Sequence, residues 1–170
     1  MNRRVLHVGC GKQPVNEYFG GWEEVRLDID PSCSPDVVAS LTDMGDIGEF
    51  DAVYGSHVLE HFAADEVGKV LSECYRVLKR GGLCMMIVPN LEHVRPTLEV
   101  VYESTAGPIT GLDMYYGKTD MVVDNPFMAH KTGFVPETMN RAMSGVFEKV
   151  QTRELTHYNL LGIGVKWPQE

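Results

Sequence analysis

Two glycines near the amino terminus and an acid further along are the first residues whose types and spacing suggest chemistry. Gly9 and Gly11 follow a short apolar run, which predicts a buried parallel strand that ends in a tight turn. Asp28 lies 17 residues after Gly11, at the end of a second apolar segment. In doubly wound nucleotide sites a carboxylate about 20 residues beyond the glycines binds the ribose hydroxyls. The pattern predicts a nucleotide pocket, with the alternative that Asp28 and Asp30 are turn residues before Pro31.

The elements that must position these residues are those of an α/β protein. Apolar strands that alternate with helical or loop crossovers form a sheet covered on both faces. The predicted sheet strands are 5–8, 24–30, 35–40, 50–54 and 83–88, followed by a closing antiparallel pair at 147–155 and 159–167. Helices are predicted at 65–79 (ended by the glycine pair 81–82), 96–104 and 136–144.

Composition predicts one globular domain spanning residues 1–170. Within it, the segment around residues 92–135 shows little periodicity and is predicted to be a lid or acceptor-binding insertion. The net charge is −9 and no cluster of lysines and arginines stands out, so nonspecific nucleic-acid binding is disfavoured and we expect no nucleic-acid partner. No apolar run reaches the roughly 20 residues that a membrane span needs.

The cysteines have the spacing of neither a zinc site nor a secreted disulfide framework. We therefore expect all of them to be reduced, in a cytoplasmic protein, and we expect no metal among the site residues. They are Cys10, Cys33, Cys74 and Cys84.

The chain resembles the class I S-adenosylmethionine-dependent methyltransferases in four segments, in the order and at the spacing of that family. They are Val5-Leu-His-Val-Gly-Cys-Gly11, Arg26-Leu-Asp-Ile-Asp30, Phe50-Asp-Ala-Val-Tyr-Gly-Ser-His-Val-Leu-Glu-His61 and Arg76-Val-Leu-Lys-Arg-Gly-Gly82. The resemblance covers most of residues 4–90. Its leucine-glutamate-histidine motif is typical of the branch that acts on small molecules.

The resemblance implies a doubly wound, mostly parallel seven-stranded sheet of order 3-2-1-4-5-7-6, with the last strand antiparallel. It also implies a Rossmann-like enzyme that uses S-adenosylmethionine, releases S-adenosylhomocysteine and methylates an oxygen or nitrogen of a small molecule. A narrower likeness is to a bacterial subgroup associated with cell-surface polysaccharide synthesis, which implies a saccharide or glycan-precursor acceptor. The segments that carry it are Gly21-Trp22, Pro35-Asp-Val-Val, Tyr116-Gly117 and His130-Lys-Thr-Gly-Phe134.

The family pattern also implies the cofactor contacts. The backbone of Gly9, Cys10 and Gly11 would pass under the methionine part of the cofactor. Asp28 would bind the ribose, and Ile29 would pack on the adenine ring.

Two positions depart from the family pattern. Ser40 stands where an aspartate usually binds the adenine amino group, although the N–H of Leu41 could bond the ring. Asp43 is a substitute acid or else a turn cap. His7 replaces the acid that often precedes the first glycine, and it could orient the turn or contact the cofactor amine.

Residues beyond the fourth strand are candidates for the reaction centre. Ser56 and His57 are predicted to contact the cofactor, with substrate contact or plain packing as further roles for His57. His130 is the candidate general base because a histidine titrates in the right range; the alternative is a histidine that orders the lid. Tyr115 and Tyr116 would line an acceptor pocket or anchor the loop.

Other roles remain open. Glu60 and His61 are expected to begin a helix, where an acid is explained by the helix N-terminus. A dehydrogenase of the NAD type is disfavoured because the third glycine of its fingerprint and a second catalytic domain are missing. A non-catalytic cofactor-binding or scaffolding protein is the remaining alternative. No helix precedes the first strand of this sequence, so we expect a pocket open on that side or covered by a partner chain, as in a homodimer.

Overall fold

The computed structural model describes residues 2–104 and 107–167, so residues 1, 105–106 and 168–170 of the predicted domain lie outside the described part. The strands are β1 Arg4–Val8, β2 Glu23–Asp28, β3 Val37–Val38, β4 Phe50–Ser56, β5 Leu78–Pro89, β6 Val100–Ser104, β7 Gly107–Thr110, β8 Lys149–Leu155 and β9 Asn159–Val165. The helices are α1 Ala64–Arg76, α2 Gly111–Tyr116, α3 Thr119–Asp124 and α4 Pro136–Ser144. Short 3-10 turns lie at Glu17–Phe19, Pro31–Cys33, Leu59–His61 and Pro126–Met128.

Seven strands form one sheet of order β3-β2-β1-β4-β5-β9-β8. The strands from β3 to β5 are parallel, whereas β9 is antiparallel to both β5 and β8. Numbered by the strands of this sheet alone, the order is 3-2-1-4-5-7-6 with the last strand of the chain antiparallel. The predicted fold class is therefore confirmed.

The main core lies between the sheet and the helices α1 and α4. Leu71 of α1 and Met139 and Met143 of α4 are fully buried there. Gly162 of β9 gives α4 its close approach, because a Cβ at this position would lie 2.3 Å from the Met139 side chain. A glycine in the strand thus sets how tightly the last helix packs on the sheet.

A much smaller cluster covers the opposite face of the sheet. Phe19, from a 3-10 turn, packs with its ring centroid 5.2 Å from Trp22 and 5.6 Å from Tyr54. Met85 and Ile87 of β5 pack beside this cluster and are only partly buried.

Two predicted elements are wrong in detail. Residues 100–104 are strand β6, paired in a hairpin with β7, and not the end of a helix. Two adjacent valines followed by Tyr102 favour a strand, and the Tyr102 ring stacks on Tyr158 at a centroid distance of 6.3 Å.

Helix α1 ends at Arg76, and the glycine pair after it lies inside β5. There Gly81 donates its N–H to the carbonyl of Lys166, so the sheet takes up residues that the pattern had placed in the helix.

The segment of little periodicity contains two helices of six residues each, α2 and α3. Helices of this length are too short to show a periodic apolar face. Helix α2 is instead marked by its capping box, in which Thr110 and Asp113 bond each other's backbone N–H groups. Among the described residues, no helix has the length and apolar character needed to cross a membrane.

Candidate active site

The carboxyl ends of β1, β2 and β4 meet at one edge of the sheet. Val8 pairs with Leu27 of β2 on one side and with Gly55 of β4 on the other. The residues that follow each of these, including Gly9 and Asp28, are therefore neighbours at this edge. Ligands of open α/β sheets bind at such an edge.

The turn after β1 needs its glycines for two different reasons. Gly9 has a φ of +58°, and a Cβ there would lie 2.3 Å from the side chain of Val58. Gly11 has a φ of +49° with open space around the missing side chain, so only its left-handed backbone requires glycine. Between them, Cys10 is buried and donates its N–H to the carbonyl of Leu27.

The two acids at the end of β2 have different partners. Asp28 accepts a hydrogen bond from the N–H of Gly11 at 2.8 Å and another from the N–H of Asp30 at 2.9 Å. Each Asp28 oxygen keeps a second lone pair for a hydroxyl donor. Asp30 accepts bonds from the N–H and hydroxyl of Ser32, which makes it a turn cap. The side chain of Ile29 lies between them and is 48% exposed.

Arg26 holds the glycine turn and was not predicted as a site residue. Its guanidinium donates to the carbonyl of Gly11 at 2.8 Å and to that of Gln13 at 2.9 Å. It also pairs with Glu24 at 3.1 Å. The signal in the sequence is an arginine between the apolar residues Val25 and Leu27, two positions before Asp28.

His7 lies inside the protein rather than at the open edge. His7 is only 3% exposed, and its Nδ1 donates a hydrogen bond to the carboxylate of Glu24 at 2.8 Å. Burial lowers the pKa of His7 below its ordinary value, against the raising effect of the Glu24 carboxylate. Glu24 in turn pairs with Arg26, so the contacts of His7 match the predicted turn-orienting role.

His57, directly after β4, has a strained backbone. Its φ is +53°, which is uncommon for a residue other than glycine and clusters at functional sites. Its N–H donates to the carbonyl of Ile87 at 2.8 Å, so the sheet holds this conformation. Ser56, the last residue of β4, pairs with the same Ile87. The His57 side chain is 42% exposed at the sheet edge.

A buried acid lies beside His57. Glu60 is 1% exposed, and its Oε1 lies 3.2 Å from the Nδ1 of His57. Burial opposes ionisation of Glu60, but His57, His61 and His130 together hold its pKa below the ordinary value. Burial likewise opposes protonation of His57, yet its pairing with Glu60 raises the pKa of His57 above the ordinary value.

Two further histidines complete this group, which we call the histidine–glutamate cluster: His57, Glu60, His61 and His130. The His61 and His130 rings meet edge to face, with centroids 5.1 Å apart. Burial lowers the pKa of His130 below its ordinary value, against the raising effect of the Glu60 carboxylate. The tertiary structure thus brings the predicted base His130 to the turn that carries Glu60 and His61. That turn is a 3-10 turn ahead of α1, not the start of the helix as expected.

Residues 6–86 match the family model of the methyltransferase domain. The match covers 81 of the 170 residues, just under half of the chain. No curated protein matches the sequence. The structure is similar to an S-adenosylmethionine-dependent methyltransferase from Archaeoglobus fulgidus, with 18% identity, a TM-score of 0.68, and 97% of this chain and 86% of that chain covered.

Two other solved structures share the fold at lower coverage of their own length. One is the 1,6-didemethyltoxoflavin-N1-methyltransferase of Burkholderia thailandensis with bound S-adenosylhomocysteine (13% identity, TM-score 0.63, covering 98% of this chain and 72% of that chain). The other is human N-acetylserotonin methyltransferase in complex with S-adenosylmethionine (13% identity, TM-score 0.66, covering 98% and 48%). These comparisons confirm the predicted fold and agree with the predicted enzyme class and cofactor, whereas the polysaccharide subgroup stays a prediction.

Backbone hydrogen bonds attach the long insertion to the turn that carries Glu60. The N–H groups of Lys131 and Thr132 both donate to the Glu60 carbonyl, at 2.8 and 3.1 Å. The Thr132 hydroxyl donates to the carbonyl of Phe62 at 2.8 Å. In the same insertion Tyr115 donates its hydroxyl to the carbonyl of Val94, so it anchors the loop. Tyr116 is exposed.

At the predicted adenine end of the pocket, Ser40 stands where the family pattern usually has an aspartate. Ser40 shares a hydrogen bond with the Thr42 hydroxyl at 2.9 Å. Asp43 accepts a bond from the N–H of Gly45 at 3.3 Å, which is the turn-cap alternative for this residue. The side chain of Leu41 packs in the core, which leaves its backbone as the group available to a ligand.

Proposed function

We propose that this methyltransferase domain transfers a methyl group from S-adenosylmethionine to an oxygen or nitrogen of a small molecule or glycan precursor. The observation that carries the proposal is the contact between the glycine turn after β1 and the segment that follows β4. Val58, between His57 and the cluster's Glu60, fills the space above Gly9. The glycine turn proposed for the cofactor therefore packs against Val58, in the segment that carries His57 and Glu60.

The cofactor half is supported by groups that are already in place. Asp28 is oriented by two backbone donors and keeps lone pairs for the ribose hydroxyls. Ile29 offers an exposed apolar surface for the adenine ring. Gly9, Cys10 and Gly11 supply a backbone surface for the methionine part. At the far end, the backbone of Leu41, next to Ser40, would bind the ring.

The reaction itself is a displacement at carbon. A lone pair of the acceptor attacks the methyl carbon, the carbon–sulfur bond breaks, and the sulfonium becomes the neutral thioether of S-adenosylhomocysteine. The acceptor proton passes to a base. Holding the acceptor in line with the carbon–sulfur bond removes several kcal/mol of barrier, so positioning is the main task of the protein.

Two histidines are candidates for the base. His130 is the predicted base, but its ring Nδ1 donates to the carbonyl of Met114 at 3.0 Å and its backbone N–H donates to the carbonyl of Tyr116. His130 therefore also orders the insertion. His57 is the better placed, because its ring is partly exposed and Glu60 lies beside its Nδ1. Ser56, just before it, would contact the cofactor. A histidine oriented by a carboxylate is a common general base.

A saccharide acceptor is supported by a cleft next to the start of β9. Polar groups bind sugar hydroxyls, and aromatic rings stack on sugar faces. The cleft is lined by Asn90, His93, Glu154, Leu155 and Tyr158. We propose that the insertion around residues 92–135, which contributes His93, helps to receive the acceptor.

The experiment that tests the proposed function is calorimetric titration of the purified chain with S-adenosylhomocysteine and, separately, with NAD. Micromolar binding of the first and none of the second is the expected result. Binding of NAD alone would overturn it. Turnover of labelled S-adenosylmethionine with nucleotide sugars and phenols then separates an enzyme from a scaffold that only binds the cofactor. The mass of the chain in solution tests the predicted homodimer.

A further inference from the structure

Glu60 is a buried acid whose carboxylate is not satisfied by the protein. Among the described residues neither of its oxygens accepts a hydrogen bond of suitable geometry, although His57 lies at ion-pair distance from Oε1. A buried ionised carboxylate costs several kcal/mol unless a charge or a set of donors compensates it. The observation points to a positive charge that belongs beside Glu60.

The two neighbouring histidines are oriented as metal ligands usually are. The Nδ1 of His61 lies 3.2 Å from the carbonyl of Ala129, and the Nδ1 of His130 lies 3.0 Å from the carbonyl of Met114. A carbonyl can only accept, so each Nδ1 carries the proton and each Nε2 keeps its lone pair. Metal-bound histidines show this same bond from the second ring nitrogen to a carbonyl.

The three residues can reach one ion. Ligand atoms of Glu60, His61 and His130, one from each, all lie within 4.8 Å of one another. We propose that these three side chains bind one divalent transition-metal ion, with Zn²⁺ the expected occupant. Two imidazoles and one carboxylate suit zinc in a tetrahedral site that keeps one position open. This proposal departs from the sequence-based expectation of no metal.

The position of the site gives the ion a structural task. Glu60 and His61 belong to the turn after β4, whereas His130 belongs to the insertion. The ion would join the two at the place where Lys131 and Thr132 already bond the Glu60 carbonyl. It would therefore fix the insertion next to the sheet edge.

The open coordination position also bears on the acceptor, and this part rests on the proposed function. Zinc in such a site binds a water or substrate oxygen as its fourth ligand. An acceptor that presents a hydroxyl or carboxylate oxygen would be held there. In this assignment His130 is a ligand, and His57 is left as the base.

The test is calorimetric titration of the chelator-treated full chain with Zn²⁺, followed by Co²⁺ substitution. One ion per chain is expected, with a visible Co²⁺ spectrum of nitrogen and oxygen ligands. Glu60→Gln and His130→Gln should each weaken Zn²⁺ binding at least 10–100-fold, the range seen when only an outer partner of a ligand is lost. His93→Gln, at a histidine whose side chain is 77% exposed, is the matched control and should bind as the parent does.

Several results would overturn the site. These are no Zn²⁺ binding by the parent chain, equal binding by the Glu60 and His130 variants, or a Co²⁺ spectrum with thiolate bands, which would place the ion at cysteines. Glu60→Gln preserves shape and removes a buried charge, so it tests the site even if His130→Gln fails to fold. Binding of S-adenosylhomocysteine, measured on the same metal-free chain, reports the proposed function independently.

Discussion

Asp28 at the end of β2 accepts a hydrogen bond from the backbone N–H of Gly11 at 2.8 Å. This bond joins the acid to the glycine turn after β1 before any ligand arrives. The carboxylate therefore has one orientation, fixed also by the N–H of Asp30. A preorganised acceptor loses less entropy on binding, which would favour the proposed contact of Asp28 with ribose hydroxyls.

Asp28→Asn should weaken S-adenosylhomocysteine binding by about 10–100-fold, because a hydrogen bond to a charged group contributes roughly 1.5–3 kcal/mol. Calorimetry measures the change. Asp30→Asn is the control, since the Asp30 carboxylate caps its own turn at Ser32. Equal losses in the two variants would show that Asp28 acts only on the loop and not on the ribose.

Arg26→Gln should weaken the same binding by about tenfold, because the guanidinium donates to the carbonyls of Gly11 and Gln13 and so holds the turn in shape. The glutamine is too short to bond both carbonyls. Arg153→Gln, at an exposed position of β8, is the charge-matched control. Unchanged affinity in Arg26→Gln would mean that the turn keeps its shape without the arginine.

Glu73 should make stability depend on pH between about 4.5 and 2. Its bond to Arg76, opposed by partial burial, lowers the pKa of Glu73 from 4.5 to about 2. A lowered folded-state pKa gives stability that is present above the unfolded value and is lost as the pH falls through the folded one. Glu73→Gln should cost on the order of 1–3 kcal/mol at pH 7 and progressively less towards pH 2.

Urea unfolding of both proteins from pH 7 downwards measures this difference. Glu137→Gln removes a fully surface-exposed pair with Arg141 and should change stability little at any of these pH values. A Glu73 effect that is constant with pH would contradict an electrostatic origin.

Gly9→Ala should destabilise the protein by about 2–4 kcal/mol, because it combines a left-handed backbone with a clash against Val58.

Gly68→Ala is the matched control and should instead raise the stability of the protein. Gly68 is exposed in the middle of α1 with open space around it, so alanine should stabilise the helix by about 0.5–1 kcal/mol. Thermal and chemical unfolding measure both. If the two substitutions had the same sign, the structural distinction between these glycines would be wrong.

The sequence predicted the sheet well and the insertion poorly. The order of the seven strands was implied by the resemblance to the class I methyltransferases, and helix α4 was predicted from the sequence with its observed bounds, 136–144. Strand β6 lies within residues 96–104, which the sequence analysis predicted as a helix. Its pairing partner β7 follows it directly in a hairpin, but its stacking partner Tyr158 lies 56 residues after Tyr102. A local pattern does not report such a distant contact.

The candidate site shows which features the sequence determined and which only the tertiary structure decided. The sequence alone determined that a glycine turn and Asp28 would share one sheet edge, because parallel strands place their carboxyl ends together. It could not place His130 beside Glu60, since 70 residues separate them and hydrogen bonds between the insertion and the turn after β4 bring them together. Periodicity and spacing report local geometry. Burial of a charge, and the ion that would compensate it, depend on which distant residues the fold packs around it.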